Sequence, residues 1–245
     1  MNCQPWLKQL VYKCANINQT CLLCGTSAEQ PHPICIACEE ELPWLSEYCM
    51  HCALPLPMAG LTCAQCSRRA PAFEQVVAPW YYGFPVDTLI SRFKHNRQWP
   101  LGRLMAEMLS LDLRHRFADG LGRPSLLLPV PLAKRRQRER GFNQAGMLAR
   151  WLSKTLAIDC NERLLRRTRE TPAQQSLDAK ARRRNLQQAF AVFDEGALQG
   201  LHVAVVDDVL TTGATAQSIA AVLRGAGARR VDVYCLARTA KPGQA

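Results

Sequence analysis

The chain has 245 residues, 48% of them hydrophobic, and a formal net charge of +11. That is enough apolar material for one or two ordinary domains. The sequence holds no apolar run of roughly 18 residues, so no membrane insertion is expected. Its start, MNCQPWLKQLVYKC, lacks the basic leader and apolar stretch of a secretory signal, so a cytoplasmic location is expected by elimination.

The charge is unevenly placed. Residues 1–70 hold 4 Lys+Arg against 5 Asp+Glu, whereas the stretch from Lys134 to Arg184 holds 15 basic and 5 acidic residues. The basic segment is expected to meet a polyanion, a phosphorylated ligand, or both.

First along the chain comes a cysteine-rich module. Ten of the 12 cysteines lie in the first 66 residues, which sets an expected boundary near Arg69–Pro71, with a module over 1–70 and a second domain over 71–245. Four CxxC pairs stand in register, each beginning 14 residues after the last: Cys21/Cys24, Cys35/Cys38, Cys49/Cys52 and Cys63/Cys66. A CxxC turn brings two thiolates to one tetrahedral ion, so eight thiolates make two zinc sites of four cysteines each. The pairs can combine in three ways, and spacing does not choose among them. A redox CxxC normally occurs once, beside a βαβ pattern. His32 and His51 are not needed as ligands because the cysteine count is complete. Both sites are expected to be structural, with no open coordination position, and to supply folding energy that so small a module lacks.

The second domain alternates strands and helices. VVAPWYYGF (76–84) reads as a strand and turn. Residues 86–96 and 101–117 have helical spacing, the latter with Leu104, Met108 and Leu111 on one face. SLLLPVP (125–131) reads as a short buried strand. Residues 142–157 read as a helix with Met147, Leu148, Trp151 and Leu152 inward. Strands are expected at 163–168, 190–193, 202–208 and 229–238, a helix at 214–227, and a polar basic loop across 169–188. This alternation implies a parallel sheet flanked by helices, with ligands bound beyond the carboxyl ends of the strands.

VVDDVLTTGAT (205–215) lies at one such end. An apolar strand runs into Asp207 and Asp208, then into a small hydroxyl-rich loop that starts a helix. Backbone amides of Thr211, Thr212, Gly213, Ala214 and Thr215 can converge on one phosphate, helped by the helix dipole. Paired carboxylates oppose a phosphate electrostatically, but they can accept hydrogen bonds from vicinal hydroxyls. A phosphate cradle beside a diol acceptor describes a ribose 5-phosphate. Arg135, Arg136, Arg138 and Arg140 could hold a phosphoryl-rich leaving group through bidentate hydrogen bonds.

This stretch resembles the phosphoribosyl-pyrophosphate loop of type I phosphoribosyltransferases. Two further stretches, PVPLAKRRQRERGFNQA (129–145) and RRTRETPAQQSLDAKARRRNLQQAF (166–190), together with the cysteine module, resemble the ComF/GntX competence-protein family of phosphoribosyltransferase-like proteins. The resemblance spans nearly the whole chain. It implies a type I phosphoribosyltransferase-like parallel sheet behind a small zinc-binding module. It places Asp207 and Asp208 on the ribose hydroxyls as the candidate catalytic pair, and Thr211 to Thr215 on the 5-phosphate. It puts Val130, Pro131 and Leu132 in a pyrophosphate-side loop, with Arg140, Gly141, Phe142, Asn143 and Gln144 lining the same cleft. Gln174, Arg182 and Asn185 fall on a flap. Mg2+ is expected to arrive with phosphoribosyl pyrophosphate, bridging pyrophosphate and ribose oxygens.

The family is associated with DNA uptake or the use of DNA as a nutrient. Two further partners are therefore expected besides the sugar phosphate. One is single-stranded DNA on the basic segment, where Phe142 and Trp151 give only a weak aromatic signal. The other is a helicase or DNA-uptake component docked by the zinc module. The activity is then either phosphoribosyl transfer or non-catalytic DNA-binding adaptor work, with the ribose-phosphate site regulatory.

Overall fold

The computed structural model describes residues 19–168 and 189–240. The expected flap positions Gln174, Arg182 and Asn185 lie outside the described residues.

The cysteine module repeats one local plan. Strands β1 (Gln19–Thr20) and β2 (Ser27–Ala28) pair antiparallel around the first CxxC. The turn closes where the Gly25 amide donates to Cys21 O at 2.9 Å, with Gly25 at φ 81°. The second CxxC opens α1 (Ile36–Glu40), with Cys35 at its N-cap. The third CxxC turns in the same way: the Ala53 amide donates to Cys49 O at 2.9 Å, and Ala53 adopts φ 51°. The fourth opens α2 (Ala64–Arg68) with Cys63 at its N-cap. The structural repeat is therefore a pair of CxxC turns, the second of which starts a helix.

Beyond Arg69 the chain builds a parallel sheet. In chain order its elements are β3 (Gln75–Val77), β4 (Trp80–Tyr81), α3 (Val86–His95), α4 (Trp99–Ala118), β5 (Leu126–Pro129), α5 (Lys134–Arg140), α6 (Gln144–Leu156) and β6 (Asp159–Cys160). Next come β7 (Leu165–Arg167) and β8 (Phe190–Val192), a separate antiparallel pair joined by residues 169–188. The chain then returns to the sheet through β9 (His202–Leu210), α7 (Ala214–Gly225) and β10 (Arg230–Arg238). The strand order is β3-β10-β9-β5-β6, with β4 pairing β10 further along.

Both faces of the sheet are covered, which suits its near-continuous apolar strands. Leu127, Val206 and Tyr234 face α3, α4 and α6, whereas Leu128, Val205 and Val233 face α7 and the β7–β8 pair. Each half of the cysteine module joins a different face. Cys21, Ile34 and Leu42 pack with the helices of the first face, and Leu45 and Ala53 with the second. Between them, residues 43–45 cover the outer edge of the sheet. The Leu45 amide donates to Pro79 O and the Tyr81 amide to Pro43 O, both at 2.8 Å, while the Trp44 and Trp80 rings lie 5.6 Å apart. An edge strand that would otherwise present unpaired amides is thereby blocked.

Several expectations are corrected. Leu104 and Met108 are buried, but Leu111 is exposed, because the buried arc of α4 centres on Met105 and Leu109, where α3, α6 and the first cysteine turn converge. Met147 and Trp151 are only half-buried, unlike Leu148 and Leu152. The 76–84 stretch forms two short strands rather than one, broken at Ala78 and Pro79. Where no element was expected, the arginine run forms a helix, α5, ended by Gly141 at φ 79°. Gly102 is required by packing: a Cβ there would come within 2.5 Å of the Phe93 ring, so α3 and α4 approach closely only without one.

Candidate functional site

The unit β5–α6–β6 winds one way along the sheet and β9–α7–β10 the other, so the strand order reverses between β5 and β9. A crevice opens at the carboxyl ends of strands at such a reversal. Pro129 is the last β5 residue opposite β9, facing Val206, and the Val130 amide donates to Val206 O at 2.9 Å. There the two chains part. β9 continues against β10 alone, with Cys235 opposite Asp207 and Arg238 opposite Leu210. The strand was expected to end at Asp208. It runs on to Leu210 because β10 is long enough to pair its far side. Both acids thus sit on rigid backbone, flanking the point where β5 has left.

The acids are held differently. Asp207 is half-buried, and its Oδ1 accepts the Asp208 amide at 2.9 Å. Asp208 is 5% exposed; its Oδ1 accepts the Val209 amide at 2.8 Å and its Oδ2 lies 2.7 Å from Lys94 Nζ. Burial first, and the Asp208 charge second, raise the Asp207 carboxyl to about 8, against the lowering pull of the Asp208 amide and the Lys94 ammonium. Two adjacent acids therefore compete at one spot, and among the described residues Lys94 is the cation that lies against Asp208.

Lys94 is the residue that sequence reasoning missed. It comes from the last turn of α3. Its only sequence signal is a basic residue at a helix C-terminus, which the helix dipole explains on its own.

Past Leu210 the chain enters the expected phosphate loop. Thr211 and Thr212 are exposed, and Gly213, Ala214 and Thr215 half-buried. Gly213 is the N-cap of α7 at φ 74°, with nothing within 4 Å of a Cβ built there, so backbone conformation rather than crowding calls for glycine. No side chain caps the helix; the Ala214 amide has a 3.4 Å contact to Thr212 Oγ1 and the Gln217 amide donates to Gly213 O at 2.8 Å. The first-turn amides thus point out of the helix end, where an anion is favoured.

The structure also brings the expected pyrophosphate-side residues to this crevice. Asn143 caps α6 by accepting the Ala145 amide at 3.1 Å, while its Nδ2 donates to Val130 O at 3.1 Å. This ties the turn after β5 to the start of α6. Pro131 and Leu132 are half-buried, Arg140 half-buried and Gly141 exposed. Gln144 is buried, its Oε1 without a hydrogen-bond partner among the described residues. The exposed arginines 135, 136 and 138 stand on α5 between these two stretches.

The cysteines resolve into two sets. The Sγ atoms of Cys21, Cys24, Cys35 and Cys38 all lie within 4.8 Å of one another, and so do those of Cys49, Cys52, Cys63 and Cys66. Of the three possible combinations, the chain uses adjacent pairs. The Thr26 hydroxyl, hydrogen-bonded to Cys24, lowers that thiol to about 6, whereas burial raises Cys52 to about 11 and raises Cys38 and Cys66 as well. Four sulfurs so close cannot all ionise without a cation, and four thiolates in this arrangement fit tetrahedral zinc. His32 and His51 are engaged elsewhere: His32 Nδ1 lies 3.3 Å from Glu107 Oε2, and His51 Nδ1 3.1 Å from Glu74 O.

Comparisons with known proteins bear on both halves. Residues 17–67 match the double zinc ribbon domain. A DNA utilization protein of Escherichia coli K12 is 38% identical over 70% of this chain and 75% of its own length. Competence protein F of Haemophilus influenzae is 36% identical over 70% of this chain and 76% of its own. Competence protein ComFC of Bacillus subtilis is 32% identical over 46% of this chain and 45% of its own. Among solved structures, an adenine phosphoribosyltransferase of Leishmania tarentolae is 15% identical, covering 54% of this chain and 70% of that one, with a TM-score of 0.36. A purine phosphoribosyltransferase of Pyrococcus horikoshii is 17% identical, covering 55% and 70%, with a TM-score of 0.33. Among the described residues, no helix is long and apolar enough to cross a membrane.

Proposed function

The chain belongs to the ComF/GntX family of competence and DNA-utilization proteins, and on that premise we propose that it binds phosphoribosyl pyrophosphate, or another ribose 5-phosphate, in the β5–β9 crevice while serving the uptake or use of DNA. The observation that carries this reading is the continuity of β9 into α7. Two adjacent acids are fixed on the strand, and a Gly213-led helix start follows within a few residues. The loop amides grip the 5-phosphate, and Asp207 and Asp208 accept hydrogen bonds from the two ribose hydroxyls. The turn from Val130 to Leu132 and the Arg140–Gln144 stretch flank the pyrophosphate.

In this reading Lys94, 2.7 Å from Asp208 Oδ2, holds that carboxyl in place for the ligand. Mg2+ would arrive with the ligand's phosphates and supply charge neutralisation there. Transfer of the phosphoribosyl group would need positioning and leaving-group stabilisation, for which the basic stretch around α5 is placed. The zinc sites, with four thiolates each, leave no position for water activation and act structurally.

Calorimetric titration of the zinc-loaded chain with phosphoribosyl pyrophosphate, with and without Mg2+, tests this. Saturable binding strengthened by Mg2+ is expected. No heat with either phosphoribosyl pyrophosphate or ribose 5-phosphate would overturn it. Pyrophosphate release in the presence of candidate bases then separates an enzyme from a binding protein.

One observation supports direct contact with single-stranded DNA as well. Trp99 is 50% exposed and meets Phe142 edge-on, with ring centroids 6.3 Å apart, beside Gly141 and the basic helix α5. A half-exposed aromatic next to arginines is the platform that Trp151, packed 6.0 Å from Phe93, does not provide. Affinity for an oligonucleotide through this surface is expected to fall steeply with salt, and Trp99→Ala to weaken it.

A further inference from the structure

We infer that Arg238 is a positioning residue through which the second four-cysteine site holds the phosphate loop in its binding conformation, so that metal there and sugar phosphate at the loop favour each other. The inference rests on the reading above for the ligand's identity, though not for the coupling itself.

Arg238 ends β10 and is 5% exposed. Its guanidinium joins two regions far apart in sequence. Nε donates to Cys52 O at 2.9 Å. Nη1 donates to Leu210 O at 3.1 Å, to Thr239 O at 2.8 Å, and to Thr211 O. Cys52 is the second ligand of the second set, and its carbonyl belongs to the turn that carries two of the four sulfurs. Leu210 and Thr211 are the residues by which β9 enters the loop. One planar, always-charged group thus fixes both, and its fork geometry makes the tie directional.

A second tie runs parallel to the first. The Ala72 amide, just after the fourth CxxC, donates to Gln217 Oε1 on the first turns of α7 at 2.9 Å. Between the two ties lies a cavity of about 260 Å³, lined among others by Cys52, Cys66, Arg69, Thr212, Gly213 and Arg238. The loop's remaining contacts are local, such as the Gln217 amide to Gly213 O at 2.8 Å and the Thr239 amide to Leu210 O at 3.1 Å. Thr211 and Thr212 are exposed, Gly213 adopts φ 74°, and no side chain caps α7.

The two metal sites differ in this respect. The first reaches the sheet domain through apolar side chains, and its nearby polar contact, His32 with Glu107, falls on α4 rather than on the loop. The second keeps a small apolar cluster of its own, Cys49, Leu54, Cys63 and Cys66, and besides packing Ala53 and Cys52 on the second face it makes hydrogen bonds to the domain, one of which reaches the loop through Arg238. Metal at the second site fixes the Cys49–Cys52 turn. Losing it frees the Cys52 carbonyl, leaves a buried guanidinium short of an acceptor, and lets the loop carbonyls shift with it. Linkage makes the effect reciprocal: whatever metal contributes to ligand affinity, ligand contributes to metal affinity.

The experiment compares the full chain holding both zinc ions with Cys66→Ser, Cys24→Ser and Arg238→Lys. Hydrogen exchange of the amides of residues 211–216 is read first, because it needs no ligand. Exchange at least 10-fold faster in Cys66→Ser and Arg238→Lys, but within 2-fold of the native rate in Cys24→Ser, is expected. Affinity for phosphoribosyl pyrophosphate should fall about 10-fold in the same two variants, and saturating phosphoribosyl pyrophosphate should slow zinc loss to a chelator from the second site alone. Loop exchange unchanged in Arg238→Lys, or equally faster in Cys66→Ser and Cys24→Ser, overturns the inference. Should Cys66→Ser fail to fold, Arg238→Lys, which keeps all eight sulfurs, decides by itself. If the loop responds as expected but the native chain binds no phosphoribosyl pyrophosphate, the coupling stands and the ribose-phosphate reading falls.

Discussion

The parallel sheet carries buried acids at both ends, and they are treated in opposite ways. At the amino ends of β9 and β10, Asp232 is fully buried and well partnered. Its Oδ2 lies 2.8 Å from His202 Nε2 and 3.4 Å from Gln75 Nε2, and Arg230 Nε lies 3.1 Å from its Oδ1. At the carboxyl end of β9, Asp207 and Asp208 are adjacent and repel each other, and among the described residues Lys94 pairs with Asp208 and lowers Asp207 only in part. Buried carboxylates with full sets of donors are structural glue. Carboxylates left in competition have hydrogen-bonding capacity to offer a ligand, at a cost in stability.

The largest effect that would test this contrast is at the satisfied end. Asp232→Ala leaves Arg230 and His202 without their acceptor and should lower unfolding free energy by about 3 kcal/mol. Denaturant titration measures it, and affinity for phosphoribosyl pyrophosphate should stay within 2-fold. The mirror experiment is Asp208→Asn. It should weaken phosphoribosyl pyrophosphate by about 100-fold, since losing a carboxylate acceptor of a buried hydrogen bond costs roughly 2–3 kcal/mol, while changing oligonucleotide affinity less than 2-fold. If DNA affinity falls with it, the two activities share a site and the partition between crevice and basic surface is wrong.

Lys94→Met should have an intermediate effect. Without the ammonium the acid pair holds a proton more tightly, so ligand affinity at pH 7 should drop about 10-fold and recover partly by pH 9. A loss that does not recover with pH would show that Lys94 touches the ligand directly. The smallest effect is on stability against pH. The Asp207 carboxyl binds its proton more tightly folded, at about 8, than at the ordinary value of 3.8. Between those values the folded chain therefore holds more protons than the unfolded one, and this contribution to stability declines as pH rises through the window. Asp207→Asn should flatten that part of the profile, and an unchanged slope would mean that the acid is already ionised at neutrality.

Much of the molecule was legible before folding was considered. Local features carry their own signal: the CxxC register, the apolar run of Val203 to Val206, the acids after it, and Gly213 at the start of a helix. The alternation of strands and helices gave a parallel sheet, and β5, β9, α7 and β10 appear close to where periodicity puts them. Boundaries fared worse where a neighbour decides them. β9 extends to Leu210 because β10 pairs it there, and Leu111 is exposed because α4 is covered from several directions centred elsewhere.

What the sequence by itself determined is the set of chemical groups and their short-range geometry: eight thiolates on four turns, two adjacent carboxylates, and a glycine-containing, hydroxyl-rich loop at a helix start. These follow from residue identity and spacing within a few positions, where the covalent chain fixes distance. Tertiary structure alone decided which CxxC turns share an ion, that Lys94 meets Asp208, and that Arg238 joins Cys52 to Leu210 and Thr211. Those pairings bridge long stretches of chain. Only the packing of the sheet, its helices and the ribbons against one another sets the distances between them.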